Sequence, residues 1–165
     1  MDLSSNETQA DQLRIRPVEA AHIGDLIRIG EETNLSPWTA TGYLDEMKNA
    51  DAIMFRLVAE DNSTLGFVVG RTIIGGDIET SIDAEIYNIA VAEREQRLGR
   101  GQLLFDAFVA MCREREVTKI WLEVRKSNEK AIRFYERNGF VRIQTRPSFY
   151  ANPREHAILM NLILK

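Results

Sequence analysis

At 165 residues the chain is long enough to bury a sizeable single core and short enough to fit one domain. Its 21 basic and 25 acidic residues leave a formal charge of −4 and are interspersed rather than gathered in blocks, which argues against a nucleic-acid binder. The opening MDLSSNETQADQ lacks the apolar centre of a secretory signal, and no apolar run approaches the ~20 residues that span a bilayer, so a cytoplasmic protein without a membrane partner is expected.

Residues 1–12 carry too little apolar content to order themselves and are expected to form a mobile polar tail, leaving 13–165 as the domain. Leu13 to Arg16 alternates like a short strand stopped by Pro17. From Val18 to Glu32, Ile23, Leu26, Ile27 and Gly30 recur at helical spacing. Ser36 and Pro37 read as a cap and first-turn proline for a second helix running through Met47. Ala52–Glu60 and Leu65–Ile74 then read as a hairpin around DNST, and Gly75, Gly76 and Asp77 as the next turn. A third long strand covers 83–91, with Glu85, Tyr87 and Asn88 interrupting its apolar residues. After a glycine-containing loop comes a helix in which Leu103, Leu104, Ala107, Phe108 and Met111 form one stripe. Cys112, the single cysteine, lies in this run and suits a small buried side chain. KIWLEV (119–124) is the next strand. Ser127 or Asn128 caps a helix that places Asn128, Ala131, Ile132 and Tyr135 on one face. Asn138 and Gly139 supply its left-handed stop. Two strands, 140–144 and 156–164, close the chain around a loop containing Pro147, Phe149, Tyr150 and Pro153. The order β, α, α, β, β, β, α, β, α, β, β describes a mixed sheet with helices packed on it.

The stretch QRLGRG (96–101) lies between a strand and a helix start, where glycines allow close approach and the first N–H groups have no intrahelical partner. A nucleoside-triphosphate loop needs Lys and then Ser or Thr after the second glycine, and this chain has Gln102 and Leu103. A dinucleotide loop needs a glycine at 104, which is leucine. A plain structural turn also satisfies the glycine spacing. Two flanking arginines, Arg97 and Arg100, favour an anion, since together they neutralise a pyrophosphate.

The span from Tyr87 to Phe140 resembles the GNAT superfamily of acetyl-CoA-dependent N-acetyltransferases, whose pyrophosphate loop, Q/R-x-x-G-x-G/A, is met by Gln96, Gly99 and Gly101. NIAV before the loop, WLEVRKSNEKAIRFYERNGF after it, HAILM near the end and SPWT around Trp38 are similar to the bacterial RimI-type ribosomal-protein alanine N-acetyltransferases. The resemblance covers nearly everything from Leu13 onward. It implies an α+β (mixed α/β) fold: a single GNAT-type domain with a central, mostly antiparallel sheet of about seven strands, helices on both faces and a V-shaped splay between the fourth and fifth strands.

It also implies acetyl-CoA as co-substrate; no metal and a monomer or weak homo-oligomer are expected. At the matching positions, main-chain groups of Ile89, Ala90 and Val91 would pair with the pantetheine arm. Gln96, Arg97, Leu98, Gly99, Arg100, Gly101 and Gln102 would hold the pyrophosphate, and Asn128 would hydrogen-bond the cofactor. Glu123 resembles the family's general base and Tyr135 its general acid. Trp38 and Tyr150 are candidate walls of the acceptor site. The implied reaction is direct attack, in a ternary complex, by the α-amine of an N-terminal alanine, with a small-subunit ribosomal protein as partner. Departures gather at the acceptor side. The family's paired tyrosines are here Phe149 and Tyr150, His156 stands where an acidic residue is common, and Ser36 replaces an aromatic.

The chemistry of amine acetylation fits these residue types. The ammonium must lose a proton and the departing thiolate must gain one. A glutamate inside KIWLEV is unusual unless its side chain faces water, a cleft or an arginine such as Arg125. A tyrosine on an apolar helical stripe also serves as core. At pH ~7.4 an α-amine of pKa ~7.8 is roughly a quarter neutral and a lysine of pKa ~10.4 about 0.1% neutral, which favours a protein N-terminus. Lysine or small-amine acetylation, and a noncatalytic acyl-CoA-binding module, are the competing readings. His22 and His156 are too isolated to suggest a metal site.

Overall fold

The computed structural model describes residues 12–75 and 81–165. The expected tail, apart from Gln12, and the turn residues Gly76 and Asp77 lie outside the described residues. In chain order the elements are β1 (Arg14–Pro17), α1 (Ile23–Glu32), α2 (Ala40–Met47), β2 (Ala52–Val58), β3 (Thr64–Ile74), β4 (Ile82–Val91), α3 (Arg100–Glu114), β5 (Val117–Arg125), α4 (Glu129–Arg137), β6 (Val141–Ala151) and β7 (Arg154–Ile163). The strands form one seven-stranded sheet in the order β1-β2-β3-β4-β5-β7-β6. Every neighbouring pair is antiparallel except β4 and β5, which are joined by the crossover through α3 and run parallel.

Two cores follow from the alternation of side chains across the strands. On one face Val68, Ala84, Ile86, Ile120, Leu122, Val124, Ile158 and Met160 pack against Leu104, Phe108 and Cys112 of α3 and Ile132 of α4. Burial pushes the Cys112 thiol up to about 12, as expected of an inert core cysteine. On the other face Phe67, Val69 and Ala90 meet Leu26 and Ile29 of α1 and Tyr43 of α2. A register break between Val69 and Gly70 skips Tyr87, and beyond it Tyr87 and Asn88 both lie toward the α1–α2 side, where Tyr87 packs on the second core and Asn88 lies beside Tyr43.

Two local expectations are corrected. α2 is capped by Thr39, whose Oγ1 accepts the N–H of Gly42 at 3.0 Å, so Ser36 and Pro37 lie in the connection before it. Trp38, just ahead of the cap, packs its ring 5.2 Å from that of Tyr43. The expected loop at Pro147–Tyr150 is instead part of β6, which pairs with β7 as far as Ala151↔Arg154. As the last strand of the sheet, β6 tolerates a proline that donates no hydrogen bond, and a register break between Arg146 and Tyr150 absorbs it. The α4 boundaries behave as expected. Asn128 Oδ1 accepts the N–H of Ala131 at 3.2 Å, Gly139 adopts φ +91°, and the Phe140 N–H reaches back to the Tyr135 carbonyl at 3.0 Å.

Candidate active site

Parallel pairing between β4 and β5 spans only Ile82↔Val117 to Glu85↔Trp121, although β4 continues to Val91 and β5 to Arg125. Asp83 clasps the paired end. Its carboxylate accepts from Trp121 Nε1 at 2.8 Å and from the Thr118 hydroxyl at 3.3 Å. Beyond Glu85 the strands part. The Ala92 N–H donates to Leu65 of β3 at 2.8 Å, so by antiparallel alternation Ala90 also faces β3, while the N–H and C=O of Ile89 and Val91 turn toward the gap.

The gap opens into a cleft of about 580 Å³. Ile89, Ala90 and Val91 line it from β4, Gln96, Arg97, Gly99, Arg100, Gly101 and Gln102 from the loop and α3, and Asn128, Ala131, Phe134 and Tyr135 from α4; Glu32, Thr33 and Leu35 close it beside α1. The loop is built for this position. Arg97 and Gly99 take left-handed conformations at φ 63° and 75°, and Gly99 caps α3 without a side chain, so the first N–H groups of the helix are left to the cleft. Gln96 ties the loop to both walls, its amide donating to the Val91 carbonyl at 3.0 Å and its oxygen accepting from Lys130 Nζ at 2.5 Å. The two arginines differ. Arg97 is exposed, whereas Arg100 is buried and ion-paired with Glu95, so its charge is shared inside the loop. Leu98, also placed at the pyrophosphate by resemblance, is 63% exposed and does not line the cleft. Gln102 exchanges hydrogen bonds of 2.7 and 3.1 Å with Asn138, beyond the end of α4.

Tyr135 stands in the cleft wall with its ring against Phe134 and Phe140, at 5.5 and 5.4 Å. Burial raises its pKa, so its phenol keeps the proton throughout the neutral range.

Glu123 points to the opposite face, because Leu122 and Val124 occupy the α3–α4 core. Its arginine partner is Arg146 of β6, at 3.2 Å, while the sequence neighbour Arg125 pairs with Glu155 at 3.3 Å. Tyr87 of β4 lies on the same side, under the guanidinium of Arg71, which is bonded through both Nε and Nη2 to the buried carboxylate of Glu46. Trp38 rests against Tyr87 at 5.6 Å. Tyr150 stacks under Arg125 at 4.1 Å, and burial together with the charge of Glu123 pushes its phenol up to about 12. The expected wall residues thus lie on the side to which Glu123 points, Trp38 against Tyr87 and Tyr150 within reach of the Glu123 charge.

One residue on this side was not singled out from the sequence as a site residue. Glu85, at the last paired position of β4, interacts with Glu123 across the seam, and burial followed by the Glu123 charge pushes it up to about 7. Its signal was a charge interrupting an apolar strand, the same signal that marked Glu123.

The cleft thus offers outward-facing strand groups at one end and uncapped helix N–H groups at the other. The acetyltransferase (GNAT) family description fits residues 23–140. The chain belongs to the GNAT acetyltransferase family. This GNAT acetyltransferase is 40% identical over 150 residues to the [Ribosomal protein bS18]-alanine N-acetyltransferase of Escherichia coli K12, covering 90% of this chain and 95% of that one. It is 31% identical to the protein of the same name from Haemophilus influenzae, over 88% and 95% of the two chains. The crystal structure of Ard1 from Thermoplasma volcanium superposes with a TM-score of 0.81 at 31% identity, covering 93% and 98%.

As a GNAT acetyltransferase the protein is an acetyl-CoA-dependent N-acetyltransferase, and the cleft fits that co-substrate. The outward-facing groups of Ile89 and Val91 suit an amide-bearing arm, and the uncapped start of α3 suits phosphate. Among the described residues no group of three or more His, Cys, Asp or Glu is placed to hold a metal ion, and no helix is long and apolar enough to cross a membrane.

Proposed function

We propose that the protein acetylates the α-amine of an N-terminal alanine, with a small-subunit ribosomal protein as acceptor in the cytoplasm. The observation that carries this reading is the seam itself: Tyr135 lines the cleft on one side, and Glu123 points to the other side, where Trp38 packs on Tyr87 and Tyr150 feels the Glu123 charge. The names of the relatives from E. coli and H. influenzae support the choice of acceptor.

Acetyl-CoA supplies the acetyl group as a thioester. Arg97 and the first N–H groups of α3 hold its phosphates, supported by Gln96, Gly99, Arg100, Gly101 and Gln102. Ile89, Ala90 and Val91 guide the arm along β4, and Asn128, whose Oδ1 already caps α4, offers its amide nitrogen. Glu123 takes a proton from the incoming ammonium. Tyr135 donates to the sulfur as negative charge develops there, which suits a phenol that burial keeps protonated. Trp38 and Tyr150 flank the peptide.

The test is incubation with acetyl-CoA and two peptides, one with a free N-terminal alanine and one with a blocked N-terminus and internal lysines. Acetylation confined to the free α-amine is expected. Labelling confined to the blocked peptide overturns the reading in favour of lysine acetylation.

A further inference from the structure

We propose that Glu85 and Glu123 work as one proton-sharing unit, in which Glu85 positions Glu123 toward the acceptor amine and shares the proton that Glu123 removes. The inference rests on the proposal that Glu123 faces the amine. It goes further by giving a task to a second carboxyl and a physical basis for choosing α-amines.

Parallel pairing ends at Glu85↔Trp121, and Glu123 lies two residues farther along β5 on the same face. The strands part just there, yet the two carboxyl groups interact across the opening. Two carboxyl groups in that relation hold a proton between them, because two carboxylates repel and neither donates.

The surrounding charges decide where the second negative charge is tolerated. Arg146 of β6 lies 3.2 Å from Glu123 Oε1 and compensates that carboxylate. Arg146, and after it Arg71 of β3, also favour a charge on Glu85, but Arg146 is already paired with Glu123 and Arg71 with Glu46 of α2. Tyr87 and Tyr150 are neutral phenols, both raised above the usual tyrosine range, chiefly by burial. Glu85 thus has burial and a like charge against its ionisation and, in favour, only two cations that other carboxylates already hold, which places its titration at about 7.

In the step itself an N–H bond of the ammonium breaks and an O–H bond forms on Glu123, with the proton shared across to Glu85. The nitrogen keeps the electron pair and forms the C–N bond at the thioester carbon. The C–S bond breaks with its pair on sulfur, the nitrogen sheds its remaining excess proton, and the sulfur gains one. Each turnover releases one proton to solvent. An acceptor titrating near 7 takes a proton from an α-ammonium of pKa ~7.8 against a gradient of less than about tenfold, and from a lysine of pKa ~10.4 against about a thousandfold or more. The unit therefore favours α-amines by proton affinity as well as by shape.

The experiment has two arms. Carbon-13 NMR of glutamate-labelled protein, recorded without acceptor, is expected to show one carboxyl titrating near pH 7. That titration should vanish in Glu85→Gln and move to lower pH in Glu123→Gln. The second arm measures kcat against pH with saturating acetyl-CoA and alanine peptide, conditions that report groups of the bound complex. The acid limb should lie near pH 7 in the unaltered enzyme. In Glu85→Gln it should move down by at least about one unit, with kcat reduced about tenfold or more at about pH 8. A near-neutral titration that persists in Glu85→Gln, or a kcat profile that Glu85→Gln leaves in place, overturns the proposal. Turnover of the alanine peptide by the unaltered enzyme separately tests the acceptor, and the NMR arm needs no acceptor at all.

Discussion

A single hydroxyl separates the two roles that Tyr135 can play. Its ring fills space against Phe134 and Phe140, and Tyr135→Phe keeps that packing while removing the proton. We expect kcat to fall about 100-fold with acetyl-CoA affinity nearly unchanged, read by steady-state kinetics beside calorimetry. An unaltered rate would leave Tyr135 as packing only. Glu85 supports a prediction of different kind. Its folded-state pKa of about 7 lies above the ~4.3 of an unfolded glutamate, so the folded chain binds more protons through that window. Stability from this group is therefore present below about 4.3 and lost as pH rises through about 7. Glu85→Gln removes that loss, so its melting temperature should exceed that of the unaltered protein at about pH 8 and the two should converge toward about pH 4. Equal melting temperatures at the higher pH would contradict the assignment.

At the scale of elements, the packing of β3 against β4 depends on Gly70. A Cβ there would meet the Glu85 carbonyl oxygen at 2.2 Å and the Phe108 ring at 2.7 Å, and neither a strand backbone nor a buried ring yields cheaply. Gly70→Ala is expected to destabilise by about 1–3 kcal/mol, seen as a lower denaturation midpoint with an unchanged slope. The same crowded corner explains what sequence reasoning reached and what it missed. The loop from Gln96 to Gln102 was legible because the strand, the glycines and the helix start are contiguous, and their meaning is local. The caps of α4 were legible for the same reason. The partner of Glu123 was not, because Arg146 arrives from a strand that crosses the sheet only through β7. Nor was the pairing of Glu85 with Glu123, which depends on the register of two strands separated by a whole helix. Pro147 misled for a related reason, since a proline signals a loop unless the strand holding it lies at an edge.

For the whole molecule, the sheet is two antiparallel halves, β1 to β4 and β5 with β7 and β6, held together by a short parallel ladder and by the helices. On the proposed reading the co-substrate lies along the seam between the halves, so its binding should stabilise the fold as a unit. At a concentration 100-fold above Kd, acetyl-CoA is expected to add about 2.7 kcal/mol, or roughly 5–10 °C in melting temperature for a chain of this size. Arg97→Ala should shrink that shift, and a full shift in this variant would remove Arg97 from phosphate binding. The open seam also leaves a mark on the unliganded protein. Amides in the middle of a seven-stranded sheet ordinarily exchange their hydrogens only when the fold opens. Those of Ile89 and Val91 turn toward the gap and have no ladder partner on β5. They combine the burial of a central strand with the solvent exchange of an edge, and they become slow only when a bound molecule takes the place of the missing rungs.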